Sequence, residues 1–410
     1  MSEVGHAGVR LTDHLSVGVL SKYVPRHVVD EVIAECGGRE RRVRLLPSHV
    51  VVYFVMALAL FQDGYAEVIR SLVHGLRFAR TWSREWTVPS ASAISQARER
   101  LGEDVMSALF ERVAVPVARA GTPGAWTGRY RLMAMDGVML DLADTAANIK
   151  TFPKAQGGTR RPFPQAKVVA VSECGTHACI AAAIGSIKDG EHQLAVQVLG
   201  CLEPGMLLLA DRGFFSFALW RAALATGADL AFRVKKDLRL PVLALLPDGS
   251  YLSEVHRPHA GKTRIDADRI DDITLATHVK VRVVDYTVDT TDSAAADTKP
   301  SEVFRIITSV LDPQELPAVS IAAAYKERWE LELSFREIEC QLRPSASTLR
   351  SKTPAMVRQE IWGLLLTHYA IRAFMTEAAD TIDIDPDRIS PIRTINIIRR
   401  SVTDSAVFPP

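Results

Sequence analysis

The spacing of apolar positions changes character along the chain. Up to residue 125 apolar residues recur every three or four positions, as on one face of a helix. Examples are HVVDEVIAEC at 27–36, VVVYFVMALALF at 50–61 and DVMSALFERVAVPVARA at 104–120. PSASAISQARERLG at 89–102 begins with small capping residues and ends at a glycine. We therefore predict an all-helical N-terminal domain over residues 1–125, with DNA end binding as its expected role.

Beyond the Gly-rich joint GTPGAWTG, apolar runs separated by short turns predict β-strands. Three such runs come first: RYRLMAMDGVMLDL, QAKVVAVSE and ACIAAAIGS. Helix and strand patterns then alternate through EHQLAVQVLGCL, GMLLLADRGF, SFALWRAALATG and DLAFRVKK. Strands followed by alternating helices and strands indicate a mixed α/β sheet. We assign residues 126–236 to the first part of this core.

The pattern changes again over residues 237–301, which we predict to be a β-rich insertion. Asp248-Gly249 between apolar runs is a hairpin signal, and the alternation in ITLATHVKVRVVDYTVD is typical of a strand. EVFRIITSVL at 302–311 resumes the sheet. We expect residues 302–375 to complete the core and 376–410 to form an external tail.

Composition adds little about partners, since the net charge of the 410 residues is only +1. The five cysteines form no CxxC pair, which favours a reducing compartment. ECGTHAC, with Cys174, His177 and Cys179, is predicted to be a hairpin turn; the alternative zinc site lacks a fourth ligand. The N-terminus has no apolar core and the longest apolar run is too short to cross a bilayer. We expect a soluble cytoplasmic protein that does not contact membranes.

Two aspartates stand in unusual places. Asp136 interrupts the apolar run LMAMDGVML, and Asp211 ends the run MLLLA. A carboxylate in or beside a buried strand is unfavourable unless it is paired, hydrogen-bonded or bound to a cation. Asp211 could also be a turn aspartate before Gly213, and Asp136 a hydrogen-bonded residue at a strand kink.

A charged helical stretch, YKERWELELSFREIE, begins at Tyr325. On one continuous helix Tyr325, Arg328, Glu332 and Glu339 would lie within an arc of about 60° beside an apolar, core-facing stripe. That stripe consists of Leu331, Phe335, Ile338 and Leu342. Glu327, Glu330 and Glu337 would then face solvent. The same residues could instead form an exposed ladder of ion pairs four residues apart.

Two aspartates on strands and a glutamate on a later helix suit hard divalent cations. Mg²⁺ prefers oxygen ligands, and two ions about 4 Å apart can serve both sides of one phosphodiester bond. This chemistry requires neither a histidine base nor a cysteine nucleophile.

These motifs resemble the D-D-E transposases of bacterial insertion sequences, in the branch named after insertion sequence four. Its signature Y-x(2)-R-x(3)-E is matched by Tyr325, Arg328 and Glu332. MAMDG resembles the strand of the first aspartate and LLLADRGF that of the second. PSASAISQARERLG resembles the family's N-terminal domain, so that the similarity extends over about residues 10–400.

The resemblance implies a ribonuclease H-like mixed sheet interrupted by the β-rich insertion. It implies that Asp136, Asp211 and Glu332 bind two Mg²⁺ or Mn²⁺ ions, and that Tyr325 and Arg328 contact DNA phosphates. The implied activity is cleavage of double-stranded DNA at terminal inverted repeats and transfer of the 3′-OH into target DNA. A homodimer on DNA in a bacterial, nucleoid-associated setting is also implied.

One position departs from the family pattern, because Glu339 stands where a lysine is expected. Arg336 and Arg343 would bracket it on a continuous helix, and we hypothesise that one of them supplies the positive charge. The alternative function is a catalytically impaired DNA-binding relative that acts as a repressor or remnant. A small-molecule phosphohydrolase, which would not bind DNA, is a further alternative.

Clustered basic residues favour DNA over a small substrate. Residues 145–172 contain no acidic residue and are predicted to form a basic loop after the first catalytic strand, although a solvated loop is the ordinary explanation. Its basic residues are Lys150, Lys154, Arg160, Arg161 and Lys167. Arg212, next to Asp211, is assigned to DNA as well. The N-terminal arginines, among them Arg98 and Arg100, could contact DNA or simply line a solvated face.

Overall fold

Helices precede the first strand, as the apolar spacing predicts. The computed structural model describes residues 18–37, 46–61, 63–70, 88–155, 162–257, 278–288, 302–342 and 348–403. The early helices are α1 (Gly18–Tyr23), α2 (Arg26–Glu35), α3 (Ser48–Ala57), α4 (Ala91–Leu101) and α5 (Asp104–Val113), and residues 65–70 are helical too. Ser90 caps α4 by accepting from the Ala93 N–H, and Gly102 ends it. The helix predicted to extend to residue 120 stops at Val113, before Pro116.

The strands within the described ranges form one ten-stranded sheet. They are β1 (Trp126–Thr127), β2 (Tyr130–Asp141), β3 (Gln165–Glu173), β4 (Cys179–Ser186), β5 (Met206–Ala210), β6 (Asp229–Arg233), β7 (Ala244–Leu245), β8 (Tyr251–His256), β9 (His278–Val288) and β10 (Glu302–Thr308). Their order is β4-β3-β2-β5-β6-β10-β9-β8-β7, with β1 paired to the start of β2. The pairs β2–β5 and β5–β6 are parallel, and the other pairs are antiparallel. The predicted mixed sheet is therefore confirmed.

The strands of the predicted insertion continue the core sheet instead of forming a separate layer. Strand β10 pairs with β6 on one side and with β9 on the other. Asp248 and Gly249 lie in the turn between β7 and β8, where the hairpin is predicted.

Helices cover both faces of the sheet. The remaining helices are α6 (Ala146–Thr151), α7 (Glu191–Val198), α8 (Phe217–Leu224), α9 (Ala318–Lys326), α10 (Trp329–Arg336), α11 (Pro354–Thr381) and α12 (Pro391–Thr403). Helices α7 and α8 pack on one face, whereas α10 and α11 pack on the other. Helices α1, α3 and α5 contact α11, so that the N-terminal helices and the second face share one apolar core. None of the helices within the described ranges has the length and apolar character needed to cross a membrane.

The charged stretch at 325–342 is not one continuous helix, contrary to our prediction. Helix α9 ends at Lys326, a turn occupies residues 327–328, and α10 begins at Trp329. The segment Glu337–Leu342 is a π-helix, in which hydrogen bonds span five residues and each residue turns less than in an α-helix. The uniform helical period from which the common arc was predicted is therefore interrupted at residues 327–328 and again from Glu337. Phe335, Ile338 and Leu342 are nevertheless buried, as predicted.

Candidate active site

Two acids and an arginine lie at the same level of three neighbouring parallel strands, Asp136 within β2, Asp211 directly after β5 and Arg233 at the end of β6. Met135 of β2 is paired with Ala210 of β5, and Ala210 is paired with Phe232 of β6. The residues that follow in the three parallel strands are Asp136, Asp211 and Arg233. Since neighbouring strands lie about 4.8 Å apart, this register places the two carboxylates next to each other.

Asp136 is held by its own strand and by the turn before α10. Its Oδ1 accepts a hydrogen bond from the Gly137 N–H at 2.8 Å. Its Oδ2 lies 3.4 Å from Nη1 of Arg328, and 23% of the side chain remains exposed. The carboxylate is thus fixed in direction but still reachable from solvent.

Asp211 is bordered by an aromatic hydroxyl and a second arginine. Tyr325 Oη lies 3.3 Å from Asp211 Oδ1 and 3.4 Å from the carbonyl oxygen of Ala210. Arg233 Nη1 lies 3.8 Å from the same Asp211 oxygen, and the side chain of Asp211 is 33% exposed. The turn that follows is closed by the Phe214 N–H, which donates to the Asp211 carbonyl.

Arg233 is a site residue that our sequence reasoning missed. Its guanidinium stacks over Phe304 of β10 at 4.1 Å, and Phe304 stacks on Tyr286 of β9. The available signal was an arginine ending the apolar run DLAF, one strand away from Asp211. Tyr286 of the insertion is thereby linked to the acidic site through Phe304 and Arg233.

Tyr325 and Arg328 are buried, and each lies beside one carboxylate of the site, Tyr325 beside Asp211 and Arg328 beside Asp136. Tyr325 is 3% exposed and Arg328 is 5% exposed. Burial raises the pKa of Tyr325 far above its usual range, so that its hydroxyl stays protonated and donates. The guanidinium of Arg328 also lies 5.8 Å from the Tyr325 ring and 5.6 Å from the Trp329 ring. The predicted contacts of these two residues with DNA remain predictions.

Glu332 lies in the middle of α10, and α10 packs against β2, the strand of Asp136. The side chains of Glu332 and Glu339 are outside the described part of the structure, as is Arg343 as a whole. Arg336 is exposed at the last position of α10. The backbone therefore brings the third acid's helix to the strand of the first acid.

The donor chemistry of the site fits a hard divalent cation. Asp136 and Asp211 offer carboxylate oxygens that are partly exposed and adjacent, as Mg²⁺ and Mn²⁺ require. Among the described side chains, no three acidic, histidine or cysteine groups come together as an ion site. A complete ligand set would thus need a further group, and Glu332 is our candidate.

The predicted basic loop at 145–172 is divided among three kinds of structure. Lys150 is exposed on α6, while Lys154 pairs with Asp144 at 2.7 Å. Lys167 lies within β3, and its amine donates to the carbonyl of Asp189 at 2.9 Å. The prediction of a single loop is therefore wrong, because β3 already begins at Gln165, two residues before Lys167. Arg160 and Arg161 lie outside the described residues.

Arg212, by contrast, is exposed in the turn directly after Asp211. That position is compatible with its predicted contact with DNA, which remains a prediction.

Glu337, predicted to face solvent, is buried. It lies 3.2 Å from His368 Nε2 and 3.3 Å from Arg372 Nη1, both on α11. Burial raises its pKa, but the hydrogen bond from His368 and the charge of Arg372 outweigh that effect and lower it overall. The side chain is buried because His368 and Arg372 of α11 pack against the face of the helix on which it emerges.

Burial decides how Arg98 is used, and the ECGTHAC segment forms the predicted turn. Arg98 is fully buried and bonds to Gln359, so it does not belong to an exposed DNA-binding stripe. Cys174 and Cys179 flank the predicted hairpin turn as buried cysteines that form no disulfide bond. His177, in the same turn, pairs with Asp387 at 3.1 Å.

Comparisons with known proteins identify the family of the chain. The family described as "Insertion element 4 transposase N-terminal" matches residues 14–111, and "Transposase DDE domain" matches residues 127–369. "Transposase InsG for insertion sequence element IS4" of Escherichia coli (strain K12) is 28% identical over 364 residues, which are 88% of this chain and 77% of that protein.

Among solved structures, a piggyBac transposase synaptic complex with hairpin DNA covers 96% of this chain and 80% of its own chain. The identity is 12% and the TM-score 0.47, too low to add to the assignment. The two family matches together extend over both the helical region and the ribonuclease H-like sheet. The chain therefore belongs to the DDE transposases related to insertion element 4, a family of metal-dependent enzymes that cut and join DNA.

Proposed function

We propose that this protein cleaves DNA at the ends of its own insertion element and transfers the freed 3′-OH ends into target DNA. The observation that supports this most directly is the register that puts Asp136 and Asp211 side by side where the parallel pairing of β2 and β5 ends. Both are partly exposed, and each is oriented by a residue of the Tyr325–Arg328 segment.

In this proposal Asp136, Asp211 and Glu332 bind the metal. Two Mg²⁺ or Mn²⁺ ions bound there would activate the attacking oxygen and stabilise the leaving oxygen at one phosphodiester bond. Arg328 partly neutralises Asp136 before DNA arrives and is placed to approach a phosphate at the same point. The Tyr325 hydroxyl donates to one oxygen of Asp211 and so leaves the other oxygen for a cation.

The exposed basic residues would bind the phosphate backbone around the cut. We assign this role to Lys150, Arg212 and Arg336, and retain Lys167, Arg160, Arg161 and Arg343 as candidates from the sequence. Strand transfer needs both element ends together, which two protein copies would provide. Light scattering on the complex with end DNA should then give two chains and two ends. The chain would act on the bacterial nucleoid in the cytoplasm.

The test uses purified protein and duplex DNA that carries the inverted repeats flanking the gene. We expect Mg²⁺-dependent nicking at the repeat ends that EDTA abolishes. Asp136→Asn, Asp211→Asn and Glu332→Gln should lose nicking by at least a hundredfold while retaining end binding. Glu327→Gln, in the turn beside Arg328, is the matched control and should nick normally. A wild type as inactive as Asp136→Asn would overturn the proposal and favour a repressor or remnant.

A further inference from the structure

Helix α9, which carries Tyr325, has no cap of its own. Its N-cap residue is Pro317, whose side chain cannot accept a hydrogen bond. The first N–H groups of a helix need acceptors from elsewhere. Asp248 supplies one, since its Oδ2 accepts from the Ala318 N–H at 2.8 Å. This aspartate lies in the β7–β8 turn, 70 residues earlier in the chain.

Arg282 of β9 fixes this cap in place. Its side chain is fully buried and forms an ion pair with Asp248. It also donates to Ser250 Oγ at 2.7 Å and to the carbonyl oxygen of Leu316 at 2.6 Å. One guanidinium therefore holds both the hairpin turn and the segment that leads into α9.

The Asp248 carboxylate is kept charged for this role. Burial raises its pKa, but hydrogen bonds from Ser250 and from the Ala318 N–H, together with the charge of Arg282, lower it overall. An anion at a helix N-terminus also interacts favourably with the helix dipole.

The far end of α9 reaches the acidic site. A helix of nine residues is a rod about 13 Å long, and here it begins at Ala318 and includes Tyr325 in its last turn. The Tyr325 hydroxyl lies 3.3 Å from Asp211 Oδ1. Because hydrogen-bonded helices resist bending, a displacement of the backbone at Ala318 changes the distance between the Tyr325 hydroxyl and Asp211.

We propose that Asp248 and Arg282 are positioning residues by which the insertion sets Tyr325 against Asp211. This inference rests on the proposed DNA cleavage for its kinetic consequence. It gives the insertion a direct part in the cleavage site through the helix that follows it.

The test measures single-turnover nicking at saturating end DNA. Asp248→Ala should slow nicking at least fivefold, while its Kd for end DNA stays within twofold of wild type. Asp248→Asn should keep part of the rate, because its amide oxygen can still accept a hydrogen bond from the Ala318 N–H. In a Tyr325→Phe background, Asp248→Ala should slow nicking no further. Asp237→Ala, an exposed carboxylate in the same insertion, is the matched control and should nick like wild type.

Hydrogen exchange provides a readout that does not depend on activity. The amides of α9 should exchange faster in Asp248→Ala than in wild type, while those of β2 and β5 stay protected. The inference would be overturned if Asp248→Ala left the exchange in α9 unchanged or nicked at the wild-type rate. It would also be overturned if Asp248→Ala slowed nicking as much in the Tyr325→Phe background as in wild type. A wild type that does not nick would refute the proposed function alone, and the exchange experiment would then decide the role of Asp248.

Discussion

Arg328 and Asp136 form an ion pair of 3.4 Å across 192 residues of sequence. The arginine is buried at the turn between α9 and α10, and the aspartate is the first acid of the site. A cation that binds Asp136 must share this carboxylate with the guanidinium.

Replacing Arg328 should therefore tighten metal binding and slow cleavage. A hydrogen bond to a charged group contributes about 1.5–3 kcal/mol, so we expect Arg328→Gln to bind Mn²⁺ roughly tenfold more tightly or better. Calorimetric titration of Mn²⁺ measures this directly. Arg336→Gln, an exposed arginine on the neighbouring helix, should leave the affinity unchanged. Weaker Mn²⁺ binding by Arg328→Gln would show that the arginine supports the ion instead of competing with it.

Arg336 should contribute to DNA binding through the phosphate backbone. Each phosphate contact contributes about −0.9 to the slope of log K against log salt concentration. We expect Arg336→Ala to reduce that slope by about one, and Glu339→Lys to tighten binding and steepen it. Fluorescence anisotropy with end DNA measures the affinity and its salt slope for both variants. A salt range of about 50 to 200 mM is suitable, because phosphate contacts change the affinity strongly there. If Arg336→Ala and Arg343→Ala both left the slope unchanged, neither arginine would compensate for Glu339.

Arg98 should stabilise the fold without contacting DNA. It bonds to Gln359, Tyr65, Ser351 and the carbonyl of Met356. Each buried acceptor left without a donor costs about 1–3 kcal/mol, so Arg98→Met should lose roughly 2–5 kcal/mol of unfolding free energy. Urea unfolding measures this loss. Arg100→Ala, exposed on the same helix, should change stability by less than about 0.5 kcal/mol.

His49 should make the fold sensitive to acid. Burial, assisted by the charge of Arg26, lowers its pKa from 6.5 to about 4. The unfolded chain therefore binds a proton that the folded chain does not, and stability falls as the pH drops from 6.5 towards 4, by about 1.4 kcal/mol per unit. His49→Gln should lose about 2 kcal/mol less than wild type between pH 7.5 and 5.

Urea unfolding at the two pH values provides the measurement for His49. His27→Gln, an exposed histidine on α2, should follow the wild type. An equal loss of stability in wild type and His49→Gln would contradict the prediction.

The strand positions of the two aspartates were predictable from sequence. An acid that interrupts or ends a continuous apolar run is visible without a structure, and so are the helix periods before residue 125. The break at residues 327–328 was not predictable, because no glycine or proline marks it and the charged residues keep a helical period through it.

The burial of individual charged side chains could not be predicted from the sequence either. Arg98 looks like a surface arginine because its partner Gln359 lies 261 residues away. Glu337 finds His368 and Arg372 on a later helix, 31 and 35 residues on. Neither pairing leaves a local pattern, since both depend on how separate helices pack. Arg233 does end an apolar run, but its place beside Asp211 depends on the pairing of β5 with β6, which the sequence does not show.

Strand β10 has a consequence for how the protein is made. Before residues 302–308 leave the ribosome, β6 has no partner beyond β5 and stands as an open edge, with Ala231 and Phe232 still uncovered on that side. Both aspartates have been synthesised by then, but the helices that orient them have not. Completing the sheet requires pairing across the whole insertion, a slow, non-local step. A nascent chain that pauses in the insertion would thus hold a half-built sheet that is prone to associate with another chain.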